Sequence, residues 1–190
     1  MAIDEPSYTV LEKSGDVELR AYDPMIVAET LVPGAMDSAS NQGFRLIAGY
    51  IFGKNSARSG EAEKISMTAP VTLQAVPEKI DMTTPVTTEK VGEQWRVHFV
   101  MPSEYSMDTL PVPDNPAVRL REVPQAHYAV LRFSGLVNEK KRAAKIAELR
   151  QWLKARNITA VGAPELARYN PPWTLPFLRR NEIMIQYQTD

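Results

Sequence analysis

The pattern Val-x-Leu-Arg occurs twice, as Val17-Glu18-Leu19-Arg20 and as Val118-Arg119-Leu120-Arg121, an offset of 101 residues (118 minus 17). Each copy alternates apolar and polar residues, as a half-buried strand does. The match continues beyond each copy. A proline turn comes next, at Pro24 and at Pro124, then an apolar run of strand length, residues 25–31 and 127–133. At the same offset Asn138 stands where Asp37 stood, each ahead of a helical periodicity. A recurrence of element order at one offset predicts two related β-β-α-β halves about a pseudo-twofold axis. The expected organisation is one domain over 1–190, with halves at about 8–105 and 117–190 joined by the Pro-rich linker 110–116.

The first helix is expected to be capped by Asp37 or Ser38 and to stop near Gly53. Phe44, Ile47, Ala48 and Ile51 form one stripe and Leu46 and Tyr50 another, so more than half its girth is apolar. Such a helix either packs on both sides or buries one face and offers the other to a ligand. The second helix carries Ile146, Leu149, Trp152 and Leu153 on one face, with Asn157 as its stop. Between the helices Trp95, Val97, Phe99 and Met101 alternate with Arg96, His98 and Val100, which puts the aromatic side in the core and His98 on a solvated face. Residues 182–187 form the last strand.

A 190-residue chain that is 44% hydrophobic and 24% charged can bury a full core. Its 22 Lys+Arg against 23 Asp+Glu give a net charge of -1, so no global basic field draws in nucleic acid or an anionic membrane. It has no cysteine, hence no disulfide, thiolate metal site or cysteine nucleophile. No apolar run is long enough to span a bilayer, and residues 1–6 lack the features of a signal peptide. The expectation is a cytoplasmic protein, a removed leader aside.

One segment is nearly duplicated: Lys64-Ile65-Ser66-Met67-Thr68-Ala69-Pro70-Val71-Thr72 returns as Lys79-Ile80-Asp81-Met82-Thr83-Thr84-Pro85-Val86-Thr87. Its Ile, Thr and Val favour extended backbone and its late proline removes a ladder donor, so edge-like or bulged strands are expected, turning at residues 76–78. A duplicated strand can pair in either register. No nucleophile elbow, zinc-protease motif, phosphate loop or dinucleotide fingerprint is present, so binding without catalysis is expected.

Three motifs carry a family resemblance: residues 64–71, Phe99-Val100-Met101-Pro102-Ser103, and Arg168-Tyr169-Asn170-Pro171-Pro172-Trp173 leading to Arg179-Arg180-Asn181-Glu182. Over about Tyr8 to Tyr187 the chain resembles the SOUL family of haem-binding proteins, and the doubled segment is similar to a form found in bacterial members. The resemblance implies an α+β fold, a distorted antiparallel β-barrel of two pseudo-twofold halves flanked by two long helices, akin to the gyrase-inhibitor-like effector-binding modules. It implies haem or a related tetrapyrrole as cargo in an apolar cleft beside the first helix. The residues expected to contact it are Phe44, Arg45, Ile47, Ala48, Ile51, Met67, His127, Tyr169 and Trp173.

Haem iron needs a His, Met, Tyr or Cys donor, and propionates need cations. His127 has the inward parity of Ala129 and Leu131, where it serves either as an iron ligand or as a core or rim histidine. Some relatives use a histidine in the N-terminal part, and this chain has none before His98. Met67 and Met82 are further donors, and Arg45, Lys54 and Arg58 are the cations nearest the first helix. Arg179 to Glu182 reads as an anion clamp or as a structural tie to the preceding loop. Two alternatives stand beside the carrier: a hydrolase or effector-binding module using a buried glutamate, for which Glu29 and Glu122 are the candidates, and a protein-interaction module with no small ligand.

Overall fold

Strand parity sets the architecture from the first element onward. The computed structural model describes residues 5–57, 62–76, 94–170 and 173–189. Tyr8–Ser14 (β1) and Val17–Tyr22 (β2) form a hairpin, followed by Met25–Pro33 (β3), the helix Met36–Ile51 (α1), Asn55–Ser56 (β4), Val71–Val76 (β5) and Gln94–Val100 (β6). Val112–Pro113 (β7), Arg119–Val123 (β8), Ala126–Phe133 (β9), the helix Glu139–Ala155 (α2), Ala160–Arg168 (β10), a 3-10 turn at Pro176–Leu178 and Asn181–Tyr187 (β11) complete the chain. The fold is α+β. Nine strands make one antiparallel sheet in the order β1-β2-β9-β11-β10-β5-β6-β3-β8, while β4 and β7 pair apart from it.

β2 lies beside β9, and β8 beside β3. The registers carry the sequence offset with them. Arg20 faces Tyr128 across β2 and β9, and Arg121 faces Val27 across β8 and β3, the same pair with both members moved by 101. Among the described residues the sheet ends at β1 and β8 without pairing between them, so it is open where a closed barrel was expected. It is nonetheless curled, because strands near its two ends, β2 and β8, line one cavity.

The helices cover only one face. Trp95, Val97 and Phe99 of β6 point into the core with Ile47 and Ile51 of α1 and Leu149 and Leu153 of α2. Tyr50, on the second apolar stripe of α1, is also buried, and its hydroxyl donates to Pro111 O at 2.9 Å. The helix is therefore packed on both sides. A smaller cluster of Tyr22, Ala69, Val130, Ala167, Tyr169 and Met184 sits on the opposite face of the sheet.

The ends of α2 agree with the sequence: the Asn138 side chain accepts from Lys141 N, and Asn157 takes the left-handed conformation at φ 57. The start of α1 does not. Ala35 occupies the cap position with no side-chain bond, and Asp37 lies in the first turn, where its charge suits the helix dipole. Of the duplicated segment, the first copy leads into β5, with Ile65 and Thr68 buried and the Thr68 hydroxyl donating to Val100 O. The second copy, with Met82 and the expected turn, lies outside the described residues.

Gly43 marks where α1 sits closest to the sheet, since a Cβ there would lie 2.5 Å from Val97 Cγ2. Gly43→Ala is expected to cost about 1–3 kcal/mol by overpacking a fully buried, β-branched neighbour. Thermal melting checks this, and an unchanged midpoint would contradict the close approach.

Candidate functional site

With the helices on one face, every second side chain of eight strands projects to the other, where the curled sheet encloses a cavity of about 260 Å³. Met25, Val27, Val100, Val123, Ala126 and Met184 give it apolar walls. A wider groove of about 990 Å³ adjoins it, sharing Pro6, Met25, Val100, Val123 and Pro124 and extending over Met101, Tyr105 and Met107.

The polar side chains of the cavity contact one another. Glu165 of β10 accepts from the Tyr128 hydroxyl at 3.3 Å, and its other oxygen lies 4.0 Å from His98 Nε2. Burial pushes the Glu165 carboxyl up to about 7, against the opposing pull of the Tyr128 hydrogen bond, Arg121 and Arg96. Burial, helped by Arg121 and Arg96, lowers His98 to about 3. His98 is thus neutral at ordinary pH and its contact with Glu165 is not an ion pair. His98 Nδ1 is buried without a hydrogen-bond partner among the described residues. Tyr128 is raised by burial and by Glu165, which keeps its proton on the hydroxyl as a donor. Glu29 bridges Arg121 at 2.9 Å and Arg96 at 3.5 Å, and Arg96 also donates to Gln74 Oε1 at 2.8 Å.

A second polar cluster fastens the neighbouring part of the same face. Glu182 is fully buried and accepts from Arg20 at 2.9 and 3.1 Å, from the Tyr169 hydroxyl at 2.7 Å and from Arg180 Nε at 3.0 Å. The Arg180 guanidinium stacks 3.7 Å from the Tyr169 ring centroid and also binds Glu5. Arg179 Nε donates to Thr174 O at 2.7 Å. The Arg179 to Glu182 motif is therefore a structural tie, its carboxylates supplied by the protein itself.

The residues expected from sequence are dispersed. Ile47, Ala48 and Ile51 are buried on the helix side of the sheet. Phe44 is exposed, at 37%, with its ring 5.6 Å from that of Phe99, and Arg45 Nε donates to Asn41 O at 3.2 Å. Met67 is partly exposed ahead of β5, and Trp173 is 82% exposed. His127 lies on the helix-facing side, its ring 5.8 Å from that of Tyr187. Of the nine, Tyr169 alone lines the cavity.

His98, expected on a solvated face, is only 12% exposed, and Glu29, a candidate buried glutamate, is 15% exposed. The strand parity of His98 was right, but the face opposite Trp95, Val97 and Phe99 is roofed by the curl of the sheet. Glu122 lies in the outer groove. Glu165 was not among the residues expected from sequence. Its signal was a single carboxylate within the apolar run 161–167, obscured because Pro164 and a register shift between Val161 and Glu165 break the alternation of β10. Among the described residues no group of three or more His, Cys, Asp or Glu is arranged to hold a metal ion, and no helix is long and apolar enough to cross a membrane.

A search of curated proteins by sequence found no match. Solved structures share the fold. The C-terminal domain of EcmrR superposes with a TM-score of 0.65 at 11% identity, covering 96% of this chain and 99% of that one. A hydrolase from Listeria innocua gives 0.60 at 11% identity, covering 94% of each chain. SAV2435 bound to tetraphenylphosphonium gives 0.51 at 11% identity, covering 90% of this chain and 93% of that one. At such identities these likenesses establish fold alone. The family profile described as SOUL heme-binding protein matches residues 3–186, nearly the whole length, so the chain belongs to the SOUL haem-binding protein family.

Proposed function

We propose that this protein reversibly binds a flat, largely apolar small molecule, haem or a related tetrapyrrole, on the concave face of the sheet, as a carrier or buffer. The observation that carries this reading is the continuity of an apolar-walled cavity with a broad open groove, opposite the face used by the helices. The inner cavity falls just short of the range of about 300–1,000 Å³ typical of small-molecule sites and the groove reaches its upper end, which fits a plate in the groove with one edge inserted. Affinity would come chiefly from apolar area removed from water. Arg121 and Arg96 supply positive charge for acidic substituents, and the neutral imidazole of His98 has the protonation state that iron ligation requires. This moves the expected ligand from the flank of α1 to the other side of the sheet.

The test is a haemin titration of the full chain followed in the Soret region. A saturable one-to-one spectral change is expected at micromolar haemin. A change that grows linearly without saturating would sink the proposal.

One feature favours a second reading. A carboxyl that titrates near neutrality inside an apolar cavity suits a lipophilic cation or proton transfer in a hydrolase, and a protein of the same fold is described with tetraphenylphosphonium bound. The pH dependence of binding separates this reading from the first.

A further inference from the structure

We propose that the end of the molecule bearing residues 173–178 is a docking surface for an anionic lipid bilayer. Trp173, Leu175, Phe177 and Leu178 are 82%, 55%, 70% and 62% exposed, and Leu136 in the loop between β9 and α2 is 61% exposed. The two loops form one platform: Gly135 N–H donates to Pro176 O at 2.9 Å, and Asn181 Nδ2 donates to Gly135 O at 2.9 Å. The backbone here is tied at both loops, so the side chains are held outward instead of folding over the core. Large apolar side chains presented together on an ordered surface mark a place where something docks.

Charge identifies the occupant. Residues 132–142 and 173–181 contain Arg132, Lys140, Lys141, Arg142, Arg179 and Arg180 and a single carboxylate, Glu139, although the chain as a whole carries -1. Lys141 Nζ sits beside the patch, donating to Ser134 O at 2.8 Å and lying 2.7 Å from the position a Cβ on Gly135 would take. Four of these cations have partners within the protein, since Arg180 binds Glu5 and Glu182, Arg142 stacks on Trp95, Arg179 donates to Thr174 O and Lys141 donates to Ser134 O. The positive charge that Arg132, Lys140 and Lys141 bring to the segments bearing these Trp, Phe and Leu side chains matches the polarity of a membrane interface, where rings enter the headgroup boundary and lysines meet lipid phosphates. This attraction is local, so the near-zero net charge does not oppose it. The contact is surface association and needs no spanning helix.

The experiment is co-sedimentation of the full chain with vesicles of phosphatidylcholine alone and of phosphatidylcholine with phosphatidylglycerol, with tryptophan emission read alongside. Binding to the anionic vesicles with a blue shift is expected, much weaker on the neutral ones. Reversal of both charges in Lys140→Glu/Lys141→Glu should weaken binding by roughly tenfold or more. Phe177→Ser should abolish it while the melting temperature is kept. No sedimentation with anionic vesicles, or equal binding by Phe177→Ser, overturns the proposal. So does a dimer of the wild-type chain that Phe177→Ser dissociates, because the patch would then be covered by a second copy.

Discussion

Glu182→Ala is expected to remove about 3–5 kcal/mol of stability, the largest single-residue loss outside the main hydrophobic core. Glu182 is 0% exposed and holds two arginines and a tyrosine, of which Arg20 is only 2% exposed. Burial works to discharge Arg20, and the hydrogen bonds and charge of Glu182 more than offset it, raising the guanidinium above its usual value. Removing the carboxylate leaves that guanidinium buried with only Glu18, at 2.8 Å, as counter-charge. The Tyr169 hydroxyl loses its acceptor at the same time. Because β2 and β11 meet through this contact across β9, the loss loosens the cross-half pairing as a whole. For a chain of 190 residues the midpoint should fall by roughly 6–20 °C, at about 2–4 °C per kcal/mol. Glu182→Gln keeps one acceptor oxygen but turns an amide NH2 toward the donors that the other oxygen served, so it should lose nearly as much. A midpoint within about 2 °C of wild type would show that the cluster contributes little.

The second large effect concerns Glu165. Its folded value of about 7 lies above the ordinary 4.5, so folding favours the protonated acid. The resulting destabilisation is absent below 4.5, grows as pH rises towards 7, and is complete above it, to the extent of about 3 kcal/mol. Glu165→Gln, which cannot ionise, should be more stable relative to wild type at pH 8 than at pH 5, as urea unfolding at the two pH values would reveal. Binding of tetraphenylphosphonium should move the opposite way. A cation requires the carboxylate, so below 7 wild-type affinity should fall by up to about tenfold per pH unit, and Glu165→Gln should bind weakly at every pH. A flat wild-type profile would remove Glu165 from cation recognition and leave the tetrapyrrole reading standing alone.

Much of the fold was legible because it rests on local periodicity. The alternation in residues 95–101 sorted the two faces of β6 correctly, and Asn138 was identified as the cap of α2. The 101-residue offset reappears in the registers of β2 with β9 and β8 with β3. What periodicity does not carry is curvature. The face bearing Arg96 and His98 reads as solvent-exposed from parity alone, and only the curl that brings β2 and β8 to one cavity makes it an interior. The breadth of apolar surface on α1 fitted either packing on both sides or a ligand face, and Ile47, Tyr50 and Ile51 are taken up by packing against the sheet and the segment near Pro111. Glu165 stayed hidden because a lone carboxylate on an irregular strand looks like an ordinary outward residue until its neighbours are known.

Which face holds the ligand is decided most directly by repeating the haemin titration with two variants that melt like wild type. Ala126→Trp fills the inner cavity, where Ala126 is 7% exposed, and Phe44→Glu puts a charge on the exposed flank of α1. Saturable binding lost in Ala126→Trp and kept in Phe44→Glu is the predicted result. Binding kept in Ala126→Trp and lost in Phe44→Glu would return the ligand to the helix side and contradict the assignment of the concave cavity.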